Sequence, residues 1–218
     1  MKVKCDIYKM SSDNLFIRFS DKIDLRLNQF IKTVYNNILN KNIIGFIDGY
    51  FAYSSMLVHF DMGKTNFNKF KKEINTIINE TKMVENFESN IIEIPLEYDY
   101  SQNSDLQFAS DYLKLSKDEI VSIHLNQIYH VYAIGFLPGF CYLGGLDKRI
   151  ALPRHDSPKL HIEKGSVGIA NNQTGIYPLD SPGGWQIIGK TRVKMFDIES
   201  NNPFIVLPGD KIKFIREK

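Results

Sequence analysis

The chain is poor in several things that would have fixed its class at once. It has two cysteines in 218 residues, Cys5 and Cys141, far apart and outside any C-x-x-C spacing. That excludes a disulfide-stapled scaffold and a cysteine zinc site, and makes a reducing cytoplasm the expected compartment. It has almost no net charge, +2 from 27 basic and 25 acidic residues, so charge alone implies neither a nucleic-acid nor a membrane partner. No apolar run is long enough to cross a bilayer, and Met1-Lys2-Val3-Lys4 leads into Asp6 rather than an apolar signal core. There is no internal repeat, no low-complexity linker and no G-x-S-x-G elbow. His124 and His130, like His155 and His161, lack a carboxylate or cysteine at ligand spacing, so no metal is expected. What is present is 43% hydrophobic and 24% charged, ordinary for a chain with a real core.

The chain up to Leu96 alternates between two periodicities. Val3–Tyr8, Leu15–Phe19, Ile43–Ile47, Ser55–Phe60 and Ile91–Leu96 read as strands. Leu27, Phe30, Ile31, Val34 and Ile38 recur at helical spacing behind Asp24, a candidate N-cap. Phe67, Phe70, Ile74 and Ile77 or Ile78 do so again across Thr65–Lys82. This predicts a small α/β domain, ferredoxin-like, over residues 1–90. Residues 91–218 form the second domain, with a helical segment near 104–127. Within it, Asp105–Leu113 and Lys117–Asn126 are separated by Ser116, and Ser116-Lys117-Asp118-Glu119 fits a capping box. From Ile128 onward short β-like runs (Tyr129–Ile134, Ser166–Ala170, Trp185–Ile188, Val193–Phe196, Lys211–Ile215) are cut by Gly and Pro turns. That texture predicts a β-barrel, so the fold class is α+β.

Gly184-Trp185-Gln186-Ile187-Ile188-Gly189-Lys190-Thr191 matches G-x-x-x-x-G-K-[ST] letter for letter. A P-loop needs a strand before it and a helix after it, so that backbone N–H groups meet phosphate. Here Ser181-Pro182-Gly183 precedes and the strand-like Arg192–Phe196 follows, so the match is read as an accident. Cys141, in an apolar Gly-rich setting, reads as a small buried hydrophobe rather than a nucleophile.

Three stretches combine Gly or Pro with aromatic and amide side chains: Gly135–Asp147, Asn171–Pro178 and Ser181–Gln186. Gly permits close backbone approach, Pro fixes a turn, aromatics give flat walls, and Gln and Thr give neutral hydrogen-bond partners. Two readings stand side by side: a concave site for a small amide or peptide, and tight barrel corners with core aromatics. Phe136, Phe140, Tyr142 and Trp185 exceed what barrel corners need, which favours an interface or a ligand wall.

These same stretches, with Leu152-Pro153-Arg154 and Gly165–Ala170, resemble the allophanate hydrolase subunit 1 family. The resemblance spans nearly the whole chain and is most specific over 130–192. The family commonly has Pro in place of Cys141 and Arg near Lys190, and its Cys-Tyr-Gly segment is here Leu96–Tyr100. The resemblance implies a cyclophilin-like β-barrel after the α/β domain. It further implies the B subunit of an ATP-dependent 5-oxoprolinase, inactive by itself. Its partners would be a C subunit, which is a second barrel, and an A subunit. Opening the stable lactam of 5-oxoproline requires activation by ATP, whose site is not assigned to this chain. On that reading His124 and Arg154 are catalytic candidates, as proton carrier and as carboxylate binder. Pro138, Gly139, Gln173, Thr174, Tyr177 and Trp185 are substrate-binding candidates. Two alternatives share the family: a Kip-type inhibitor that blocks a sporulation histidine kinase, and a component of urea-related amide metabolism.

Overall fold

The computed structural model describes residues 3–83 and 91–217. The chain divides into two compact units, Met1–Glu88 and Ser89–Lys218.

In the first unit β1 (Asp6–Lys9), β2 (Asn14–Arg18), α1 (Leu25–Asn40), β3 (Phe46–Ala52), β4 (Ser55–Phe60) and α2 (Phe67–Glu80) follow one another. The sheet runs β1-β2-β4-β3, antiparallel throughout. Both helices start on side-chain caps: the Leu27 N–H donates to Asp24 Oδ1 at 2.8 Å, and the Lys69 N–H to Asn66 Oδ1 at 3.1 Å. Phe30, Ile31, Val34 and Ile38 of α1 join Phe70, Ile74, Ile77 and Ile78 of α2 in one core with Leu15, Ile17, Met56, Val58 and Phe60 of the sheet. The strand expected at Ile43 begins only at Phe46. Gly45 takes φ +83°, and the Phe46 N–H donates to the Ile43 carbonyl, so residues 43–45 turn before the strand starts.

The second unit holds β5 (Ile91–Tyr98), α3 (Asp105–Leu113), α4 (Lys117–Leu125), β6 (Tyr129–Ile134), β7 (Cys141–Gly144), β8 (Lys159–Ile162), β9 (Ser166–Ala170), β10 (Gln173–Ile176), β11 (Ser181–Gly183), β12 (Gln186–Lys190) and β13 (Lys211–Arg216). Seven strands close into a barrel in the order β10-β7-β6-β13-β5-β12-β9. Only β5 and β13 pair in parallel. β8 and β11 form a separate two-stranded ribbon. The capping box at α4 is present: the Glu119 N–H donates to Ser116 Oγ, and the Ser116 N–H donates to Glu119 Oε2. The architecture is α+β.

The strand expected over Val193–Phe196 is absent. Its alternation reflects anchoring of a loop, with Met195 buried while Lys194 faces solvent. Asp197 Oδ1 accepts from the Glu199 N–H, a local turn that competes with strand pairing, and only an isolated bridge joins Phe196 to Phe204.

Alternation along the barrel strands fixes which side chains enter it. Thr174 opposes Leu143 on β7 and Ile169 on β9, and all three are fully buried within the barrel. One residue on, Gly175 opposes Tyr142 and Gly168, so these three share the other face of the wall. Glycine is required at 175: a Cβ there would lie 2.8 Å from the Cys141 carbonyl, 2.9 Å from Trp185 and 3.0 Å from Phe140.

Candidate functional site: an aromatic wall and a pinned arginine

The outer face over β7, β9 and β10 carries an aromatic cluster. The Phe140 ring lies 4.9 Å from Tyr177, 5.4 Å from Trp185 and 4.8 Å from Tyr142, and Tyr142 lies 5.9 Å from Trp185. Phe140, Tyr177 and Trp185 are buried, while Tyr142 is only partly buried. Burial pushes the Tyr177 hydroxyl up to about 12, against the Trp185 backbone N–H that it accepts and the nearby Arg154 cation. Burial likewise raises Tyr142, again opposed by Arg154. One guanidinium therefore acts on both phenols.

Arg154 is exposed, and its neighbours are tied down on both sides. The Asn171 N–H donates to the Leu152 carbonyl at 2.6 Å, Gln186 Nε2 to the Pro153 carbonyl at 3.3 Å, and the His155 N–H to the Gly184 carbonyl at 2.8 Å. Among the described residues no carboxylate forms an ion pair with Arg154. A free cation on a fixed segment, beside a partly exposed tyrosine, is suited to hold a flat molecule that carries one carboxylate.

Gly135–Phe140 is the tight connection between β6 and β7. The Phe140 N–H donates to the Leu137 carbonyl and the Gly135 N–H to the Phe140 carbonyl. Pro138 is exposed on this loop, and Gly139, buried with φ +87°, passes close to Pro178 and Phe196. Cys141–Gly144 is barrel strand, and Cys141 is buried with its thiol pushed up to about 12 by that burial. Phe136, at the tip, is 62% exposed and sits at φ +70°, a conformation a bulky side chain rarely takes.

The residues singled out from sequence thus fall on two faces of one wall. Tyr177 and Trp185 belong to the aromatic cluster of the outer face, Arg154 lies near Tyr177 and Tyr142, and Pro138 and Gly139 lie on the loop that leads into Phe140. Gln173 starts β10, at the end of the strand away from Tyr177. His124 and Thr174 lie inside the barrel with no exposed surface. Thr174 Oγ1 donates to the Gly168 carbonyl at 2.9 Å, so it accepts from His124 Nε2, 3.2 Å away. That makes Nδ1 the acceptor for the Tyr98 hydroxyl at 2.7 Å. The ring stacks on Phe214 at 4.8 Å, and burial lowers its pKa to about 3. His124 is therefore a neutral hub of the barrel interior, directly behind β10.

This burial has a measurable consequence. The unfolded chain takes up a proton at His124 below about pH 6.5, and the folded chain resists it down to about pH 3. The contribution of this group to stability is complete above pH 6.5 and is lost as pH falls between those values, at up to about 1.4 kcal/mol per pH unit. Denaturant midpoints measured across this range should fall more steeply for the wild type than for His124→Phe. Identical slopes would contradict the buried neutral ring.

Lys190 closes β12 as a strand residue opposite Glu97 and Ser166, and no helix follows it. Its ammonium pairs with Glu163. The adjoining hollow, about 500 Å³, is also lined by Glu97 and Asp99, the wrong sign for phosphate. The P-loop match is thus a strand. Lys190→Ala should leave ATP binding by the purified chain unchanged in a direct titration, whereas binding by the wild type that this substitution abolishes would contradict this reading.

Sequence reasoning missed Asp105, His155, Lys159 and Gln186 as neighbours of Arg154. Asp105 Oδ2 lies 3.2 Å from His155 Nε2 and 2.6 Å from Lys159 Nζ, and it accepts from the Ile187 N–H at 2.6 Å. Partners 50 to 82 positions apart leave no local signal.

Residues 5–206 match the family described as the carboxyltransferase domain, subdomain C and D, and the chain belongs to it. Within that family its relatives are more particular. It is 37% identical over 228 residues to the B subunit of 5-oxoprolinase from Bacillus subtilis (strain 168), covering 99% of this chain and 94% of that protein. It is 42% identical over 131 residues to the B subunit of 5-oxoprolinase from Escherichia coli O157:H7, covering 60% of each. Among solved structures it is similar to TTHA0988, with a TM-score of 0.84 at 27% identity, over 95% of this chain and 40% of that one.

Proposed function

We propose that this chain is the B subunit of an ATP-dependent 5-oxoprolinase, which opens 5-oxo-L-proline to L-glutamate together with its A and C subunits. The observation that carries the site assignment is Arg154, an unpaired cation fixed beside the partly exposed Tyr142. Arg154 holds the carboxylate of 5-oxoproline, and the flat lactam lies against Tyr142, backed by Trp185, Tyr177 and Phe140. Pro138 and Gly139 shape the lip of this face, and Gln173 serves its far end. Thr174 and His124 act from behind, holding β10 in place. This chain binds and orients the substrate, while ATP and the phosphoryl chemistry belong to the complex. We read the barrel as cyclophilin-like. The first unit we read as a ferredoxin-like variant whose outer strand, β1, precedes the β-α-β unit instead of following α2. The strained, exposed Phe136 is the contact for the second barrel protein.

The relatives named as the B subunit of 5-oxoprolinase favour this reading over a Kip-type kinase inhibitor and over a urea-related role. No helix among the described residues is long and apolar enough to cross a membrane, and a cytoplasmic complex accords with the free thiols at Cys5 and Cys141. Purified alone, the chain should release no glutamate from 5-oxoproline and ATP. Co-expressed with the A and C subunits, it should co-elute with them on size exclusion and support turnover. Turnover by the isolated chain at the rate of the full complex would overturn the proposal.

A further inference from the structure

We infer that Asp105 is the positioning residue for Arg154, an inference that rests on Arg154 being the carboxylate-binding group. Residues 153–160 run across the surface with no buried side chain, so apolar packing does not hold this segment. Its order comes from polar ties. Asp105, nine-tenths buried at the first position of α3, gathers three donors on one oxygen: the Lys159 ammonium, the His155 ring and the Ile187 N–H.

A buried carboxylate requires compensating charge and hydrogen bonds. Here the compensation comes from both sides of Asp156-Ser157-Pro158 and from the strand after Trp185. One carboxylate therefore joins three elements: the start of α3, the β12 backbone that follows Trp185, and the segment that presents Arg154. His155 is held twice, by its ring on Asp105 and by its backbone N–H on the Gly184 carbonyl. The backbone at Arg154 is thus fixed relative to the aromatic wall, while the guanidinium stays unpaired and available. Removing the Asp105 charge leaves the Ile187 bond possible, because an amide oxygen still accepts, but it removes the ion pair with Lys159 and weakens the hold on the His155 ring.

The test uses the reconstituted complex and steady-state kinetics with 5-oxoproline, for Asp105→Asn, Lys159→Met, Arg154→Ala and the double variant Asp105→Asn/Arg154→Ala. Asp105→Asn should raise KM about tenfold with kcat within about twofold, since misplacing a binding group by about an ångström has effects of up to a hundredfold. Lys159→Met, which leaves Asp105 bound to His155 and Ile187, should show the same KM-selective effect at smaller size. In the Arg154→Ala background, Asp105→Asn should change KM no further. Thermal melts of each chain show whether the fold is intact.

An equal KM effect of Asp105→Asn with and without Arg154 would overturn the inference, because Asp105 would then act independently of that side chain. An unchanged KM in Asp105→Asn, with a raised KM in Arg154→Ala, would overturn it while sparing the substrate-site reading. An unchanged KM in Arg154→Ala would remove that reading, and this inference with it.

Discussion

Arg154→Ala in the assembled complex should raise KM for 5-oxoproline about tenfold to a hundredfold. That range corresponds to about 1.5–3 kcal/mol for a hydrogen bond to a charged group. The loss should fall on KM with kcat nearly unchanged, because the carboxylate takes no part in opening the amide and is bound equally before and during the reaction. Stability should hardly move, since the side chain is exposed and anchors no packing. Arg154→Lys should recover only part of the affinity, because an ammonium cannot make the paired N–H contacts of a guanidinium. A substrate control isolates the cause: 2-pyrrolidinone, the same ring without the carboxylate, should bind wild type and Arg154→Ala alike. A variant that loses affinity equally for both compounds would place Arg154 elsewhere in the chemistry.

The second large effect is on stability. Trp185 is only 5% exposed and is wedged against Phe140 and Tyr142, with Gly168 and Gly175 beneath it. Truncating a buried Trp to Ala costs about 3–5 kcal/mol when the cavity cannot collapse. Two glycines in the floor supply no side chain to refill the space. The loss should lower the melting temperature of the chain by about 10–20 °C. Tyr142 and Phe140 would lose their fixed angle, so substrate use and co-elution with the second barrel protein should both fail. Denaturant melts and size exclusion of Trp185→Ala, beside Arg154→Ala as the folded control, make the comparison. A Trp185→Ala chain with a wild-type midpoint would show that the cluster is not the backing of this wall.

The helices were legible because their signals are local. Asp24 and Ser116 cap within three residues of their targets, and the apolar stripes of α1 and α2 repeat every turn. Strands in which apolar residues alternate, such as Tyr129–Ile134 and Ser55–Phe60, were equally plain. β7, β8, β10 and β11 were not, because Cys-Tyr-Leu-Gly, Lys-Leu-His-Ile, Gln-Thr-Gly-Ile and Ser-Pro-Gly owe their strand state to distant partners. The reverse error arose at Val193–Phe196, where alternation had no partner strand to meet.

The site divides in the same way. Tyr177 and Trp185 stood out because Gly and Pro beside aromatics are uncommon outside special backbone geometry, whereas Arg154 was a candidate only by its charge and through the family resemblance. Of the two readings of those stretches, core packing describes Phe140, Tyr177 and Trp185, which are buried, while Tyr142 keeps part of its surface exposed. The separation of His124 and Thr174 from the outer group followed from the pleat of β10, where register decides the face and one step reverses it. Asp105 left no trace, because its role exists only once α3, β8 and β12 are brought together.

The most direct test of the central claim is an omission experiment. The A and C subunits, with 5-oxoproline and ATP, are assayed for glutamate with and without this chain added. The account predicts glutamate release only in the mixture that contains this chain, saturating as it reaches equivalence with its partners. Equal release in its absence would contradict the assignment of this chain as a required component of a 5-oxoprolinase.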